Sequence, residues 1–183
     1  MTQDSLEQLK YPIGRFVAPD VVPSQLRDAL ISVLEAFPAR LRSATDRLSD
    51  VQLETPYRPD GWTIRQVIHH CADSHVNAYV RFKVALTEDF PTIKPYPEAL
   101  CAELADYRLT PPRVSVDLLD SLHQRWTILL RAMESDDWKR GYVHPEMNRA
   151  CALSEALALY AWHSQHHLAH ITELVKAKGW VVA

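Results

Sequence analysis

Glycine is scarce, with four residues in a chain of 183. That leaves little room for tight turns, and none for a glycine-rich loop cradling a phosphate. Cysteine is scarcer still. Cys71, Cys101 and Cys151 form an odd set with wide gaps and no CxxC pair. A disulfide framework, a zinc ribbon and a thioredoxin-like site therefore have no support, and the three read as buried thiols. Long apolar runs are missing. The longest spans about Ala156 to Trp162, far short of the roughly 20 residues of a membrane span. No charge dominates, since 20 Lys and Arg stand against 23 Asp and Glu for a net charge of −3. That balance gives no general pull toward nucleic acid or anionic lipid, and neither is expected as a partner. Met1 to Lys10 carries Asp4, Glu7 and Lys10 with no apolar core behind them. The expected location is cytoplasmic rather than exported.

What is present is an ordinary globular composition, 47% hydrophobic and 23% charged, long enough for one domain over residues 1–183. Four segments carry helical period. The first runs from about Ser24 to Leu48, with Leu26, Leu30, Val33, Leu34, Phe37, Leu41, Ala44 and Leu48 at steps of three and four. Pro38 falls inside it, so this helix either kinks or stops and restarts there. The second starts sharply. Thr63 and Gln66 have the spacing of a capping box, and Trp62 and Val67 that of a hydrophobic staple. It is expected to run to about Glu88, before Pro91. A proline-rich crossover follows, with one short helix over Glu98 to Tyr107. The third long helix is expected from Ser115 to about Glu134, then a single turn over Asp136 to Arg140 and a loop from Gly141 to Arg149. The fourth runs from Leu153 to Lys178, stopped by Gly179. No segment alternates with period two. The pattern predicts an all-α protein, a four-helix bundle with short extra helices in its connections.

Nine histidines are the other abundance. His69, His70 and His75 lie on the second helix, and His163, His166, His167 and His170 on the fourth. His123 sits on the third helix and His144 in the late loop. Residues four apart share a helix face, so His163/His167 and His166/His170 are candidate pairs. The stripe through Ala156, Tyr160, His163, His167, His170/Ile171 and Leu174 points inward, whereas His166 lies nearer the charged side. His163 and His167 are therefore the expected pair. On the second helix His70 shares a face with Val67, Ser74, Asn77 and Arg81, an inward stripe that turns polar. His69 shares its face with Arg65, Asp73 and Val76 and reads as more exposed, which favours His70. Three neutral imidazoles suit a divalent first-row metal and leave a coordination position open, as catalytic sites do. Rival motifs fail. Ser164 follows His163 where an HExxH protease site has Glu, the Glu-x-x-His pairs of di-iron bundles are absent, and no Ser-His-Asp triad has a local anchor.

Seven segments carry a family likeness: YPIGRF at 11–16, GWTIRQV at 61–67, HHCADSH at 69–75, ALTED at 85–89, LHQRW at 122–126, HPE at 144–146 and YAWHSQHH at 160–167. With these, nearly the whole chain resembles the YfiT-type metal-dependent hydrolases of bacteria, within the DinB-like helical superfamily. The resemblance implies a four-helix bundle and a homodimer, with one zinc or nickel ion per chain. It carries the ligand roles onto His70, the second of the 69–70 pair, and onto His163 and His167.

The reading is a hydrolase in which the metal activates water against a small-molecule substrate. The general base stays open. Asp73, Ser74, Asn77 and Arg81 are the nearest polar candidates, with Asn77 and Arg81 read as orienting substrate and Asp73 as facing solvent. Wider relatives resemble bacillithiol- or mycothiol-dependent enzymes. A metal-dependent S-transferase using a low-molecular-weight thiol is therefore the first alternative. The second is a non-catalytic metal-binding stress module, its open position filled by His144 or a carboxylate.

Overall fold

The computed structural model describes residues 3–146 and 149–180. In chain order the elements are α1 (Gln3–Lys10), α2 (Ser24–Thr45), α3 (Asp50–Leu53), α4 (Ile64–Thr87), α5 (Glu98–Cys101), α6 (Ala105–Leu109) and α7 (Pro112–Ala132). A short 3-10 turn (Asp137–Lys139), β1 (Gly141–His144), β2 (Arg149–Ala152) and α8 (Leu153–Ala177) follow. The four long helices α2, α4, α7 and α8 form the bundle. Both α2 and α4 pack on α7 and α8, so the cyclic order is α2–α7–α4–α8 with α2 diagonal to α4.

The expected ends of α4 and α8 are present. The Gln66 N–H donates to Thr63 Oγ1 at 3.1 Å, and Gln66 Oε1 accepts from the Thr63 N–H at 3.0 Å. This reciprocal pair satisfies backbone groups that a helix start leaves orphaned. Gly179 ends α8 at φ 64°, a conformation glycine adopts without penalty.

Several boundaries differ from expectation. Pro38 does not end α2, which runs on to Thr45. α7 begins at Pro112 rather than Ser115, because a proline in the first turn loses no hydrogen bond. The short crossover helix is broken into α5 and α6. The expected loop from Gly141 is a hairpin, with Gly141 opposite Ala152 and His144 opposite Arg149. Met147 and Asn148 of that loop lie outside the described residues. The hairpin gains support from the crossover: the Ile93 N–H donates to the Val143 carbonyl at 3.0 Å, and the Val143 N–H to that of Pro91 at 2.9 Å. Four-residue strands are too short for alternation to reveal them.

The core is split into two apolar clusters. One gathers Ile31, Leu34, Phe82, Trp126 and Tyr160, the other Phe37, Leu41, Ile64, Val67, Leu119 and Leu168. On every long helix the membership changes at one level. On α4 it falls between Ala72 and Ala78, around His75; on α7 between Leu119 and Trp126, around His123; and on α8 between Tyr160 and Leu168, around His163, His166 and His167. On α2 it falls between Leu34 and Phe37. A polar layer therefore crosses the bundle between two hydrophobic halves, and its imidazoles must find partners there.

Candidate metal centre

Adjacent helices α4 and α8 bring His70, His163 and His167 together. One ring nitrogen from each lies within 4.8 Å of the other two. His70 Nε2 and His163 Nε2 are 3.2 Å apart. The ring centroid of His167 lies 4.8 Å from that of His70 and 4.4 Å from that of His163. Burial holds His70 near pKa 4 and pushes His163 and His167 well below the ordinary histidine range, with the neighbouring imidazoles adding to the effect. The rings are therefore neutral, which is the ligating form. Nδ1 of His70 and of His167 are buried with no hydrogen-bond partner among the described residues. Convergent neutral nitrogens with no carboxylate among them suit a divalent first-row cation.

The other histidines correct the face argument in part. His69 is buried rather than exposed, with Nδ1 at 2.7 Å from Ser115 Oγ on α7. It belongs to a helix contact, not to the cluster. His166 is buried as well. Its ring is stacked at 4.3 Å on Trp162 and lies 5.9 Å from that of Tyr11. His170 is stacked on Tyr57 at 4.0 Å, and its Nε2–H donates to the Lys10 carbonyl at 3.0 Å. Segments far away in sequence cover these two rings.

The cluster opens on a cavity of about 410 Å³. Trp62, Trp162 and Tyr96 give it aromatic walls, and Ser74, Arg81, Glu98, His144 and Glu146 its polar ones. Of the residues read as candidates for catalysis, Ser74 and Arg81 lie on this wall, and Arg81 donates to the Tyr160 hydroxyl at 3.2 Å. Asp73 does not line it, because its carboxylate accepts from the Tyr107 hydroxyl of α6 at 2.7 Å. Asn77 does not line it either, and its side-chain amide donates to the Asp73 carbonyl one turn back. Sequence reasoning overlooked Glu98, Tyr96 and Glu146, which reach the wall from the crossover and the hairpin.

Sequence reasoning also overlooked what stands behind His163. His75 Nε2 lies 3.1 Å from His163 Nδ1, and His75 Nδ1 lies 2.8 Å from His123 Nε2. His123 Nδ1 lies 2.6 Å from the Leu34 carbonyl on α2. His75 and His123 are fully enclosed, ringed by Phe37, Trp126 and Tyr160. The sequence signals that could have found it are Pro38, which leaves a carbonyl without its partner inside α2, and His123 among the buried residues of α7.

A four-helix bundle with a three-histidine cluster beside a polar cavity defines a class of helical proteins suited to divalent metal. The DinB superfamily profile matches residues 33–171, and the chain belongs to that superfamily, in its YfiT-type branch. It is 49% identical over 172 residues to YfiT of Bacillus subtilis (strain 168), spanning 94% of this chain and 97% of that one. It is 46% identical to a relative from Bacillus pumilus (strain SAFR-032), over 96% and 99% of the two chains. Both are named as metal-dependent hydrolases, provisionally in each case. The solved structure of Bacillus subtilis YfiT, described as having an unusual four-helix bundle topology, superposes with a TM-score of 0.93. That match has 48% identity and covers 95% of this chain and 99% of the other. A mycothiol-dependent maleylpyruvate isomerase superposes at 0.63 with 16% identity, over 79% and 60% of the chains, a likeness of fold alone.

Proposed function

We propose that this chain is a metal-dependent hydrolase of small molecules, with one zinc or nickel ion held by His70, His163 and His167. The observation that carries the reading is the convergence of three neutral ring nitrogens within 4.8 Å beside an open cavity. When bound, a divalent cation on uncharged ligands keeps its full charge, polarises a carbonyl and acidifies a water.

The chain's own residues supply the rest. Arg81 is the cavity's guanidinium, and it forms no ion pair among the described residues. It orients an anionic or carbonyl group of the substrate. Trp62 and Trp162 bind the apolar part. Glu146 and Glu98 are the carboxylates at the wall, placed to accept a proton. No helix among the described residues is long and apolar enough to cross a membrane. The reading extends to a cytoplasmic location and to a homodimer, the latter as the family likeness implies.

The test is an assay of zinc- and nickel-loaded protein on a panel of carboxylic esters and amides, beside conjugation of an electrophile with small thiols. Hydrolysis that disappears with chelator and returns with metal is expected. Conjugation that requires a thiol, with no hydrolysis across the panel, would replace this reading by the S-transferase one. Neither activity would leave a metal-binding module.

A further inference from the structure

Pro38 has no N–H to give the carbonyl four residues before it, which is that of Leu34. That oxygen is bonded instead by His123 Nδ1, at 2.6 Å and fully buried. A carbonyl only accepts, so the ring proton of His123 sits on Nδ1. His123 Nε2 is then a bare lone pair. It faces His75 Nδ1 at 2.8 Å, which must carry the proton. His75 Nε2 is bare in turn, and faces His163 Nδ1 at 3.1 Å. The proton of His163 is therefore on Nδ1, and its Nε2 presents a lone pair toward His70 and His167. A flipped tautomer anywhere along the chain would set two lone pairs or two N–H groups against each other in a buried place. No carboxylate intervenes, so each ring keeps a single proton.

We propose that Leu34, His123 and His75 form a positioning relay that fixes the ligand tautomer of His163, with Pro38 at its origin. The relay crosses all four long helices, from α2 through α7 and α4 to α8, inside the polar layer between the two apolar clusters. Metal-bound imidazoles are ordinarily backed by a carboxylate, a backbone carbonyl or water. Here the backing is a backbone carbonyl transmitted through two further imidazoles, which orients the ligand without adding charge. His70 and His167 have no such support, because their Nδ1 atoms lack partners among the described residues. The consequence for affinity rests on the proposed metal site. The proton positions do not.

Two measurements on the full chain separate these parts. The first is long-range proton–nitrogen correlation of isotope-labelled histidine in metal-free protein. His123, His75 and His163 are expected as Nδ1–H tautomers, with nitrogen–nitrogen couplings across both hydrogen bonds. A proton on His75 Nε2 would overturn the relay. The second is zinc affinity by competition with a chromophoric chelator. His75→Phe keeps an aromatic ring in the site and is expected to weaken binding by about tenfold to a hundredfold. His75→Gln, which can both accept from His163 and donate to His123, should recover most of the loss. A phenylalanine variant that binds zinc as tightly as the parent would remove the positioning role. Parent protein with both couplings but no zinc would sink the metal reading and leave the proton arrangement standing.

Discussion

The guanidinium of Arg81 on α4 donates to the hydroxyl of Tyr160 on α8 at 3.2 Å, across the floor between the cavity and the apolar half that contains Trp126. A neutral hydroxyl satisfies one of its five donors and none of its charge. Its remaining donors have no partner among the described residues and are available to a ligand. Arg81→Met is therefore expected to lower kcat/KM for anionic substrates by about tenfold to a hundredfold, one charge-assisted hydrogen bond. Neutral substrates with the same leaving group should change much less. Equal losses on both would contradict a recognition role.

Acid should destabilise the metal-free protein through His123. Burial holds this imidazole at about pKa 4, even though the Leu34 carbonyl favours the protonated ring. An unfolded histidine takes its proton near 6.5, so between these values the unfolded chain binds the additional proton. Stability is full above about pH 6.5 and falls as pH drops toward about 4, by about 1.4 kcal/mol per pH unit for this one group. Denaturant titrations of parent and His123→Gln from about pH 7 to pH 5 measure it. The parent should lose stability more steeply, and parallel curves would count against a neutral buried His123.

The hairpin has one position that tolerates no side chain. A Cβ on Gly141 would lie 2.3 Å from the Cys151 carbonyl oxygen and 3.0 Å from its carbon, both backbone atoms of the paired strand. Gly141→Ala should cost about 1–3 kcal/mol by forcing the strands apart. His144 and Glu146 would lose their place on the cavity wall with it. An unchanged denaturation midpoint would mean that the strands are not paired as described.

Metal should stabilise the bundle without being required for it. Each of the two apolar clusters draws residues from all four long helices. Binding to the native state alone adds about 4 kcal/mol at a thousandfold excess over Kd. Melting with chelator and with added zinc should give two cooperative transitions, the second at higher temperature. A chain unfolded in chelator would show that the ion builds the fold.

Much of this was legible from local spacing. Thr63 and Gln66 announce the start of α4, Gly179 the end of α8, and the stripe through Ala156 and Tyr160 sets His163 and His167 on one inward face. What escaped depends on segments distant in the chain. His166 reads as nearer the charged side until Tyr11 closes over it. His69 looks exposed until Ser115 meets it 46 residues later. Asp73 looks available until Tyr107 binds it. Pro38 and His123 are each visible in the sequence, but their bond through Leu34 exists only once α2 and α7 lie side by side.

The central claim is that these three histidines hold one ion per chain. Its most direct measurement is elemental analysis of the folded protein and single variants after loading with zinc or nickel and gel filtration. The account predicts one equivalent in the parent and in His69→Ala and His166→Ala, and loss of tight binding in His70→Ala, His163→Ala and His167→Ala. Full metal content in a folded His70→Ala variant, or loss in His69→Ala, would contradict the assignment.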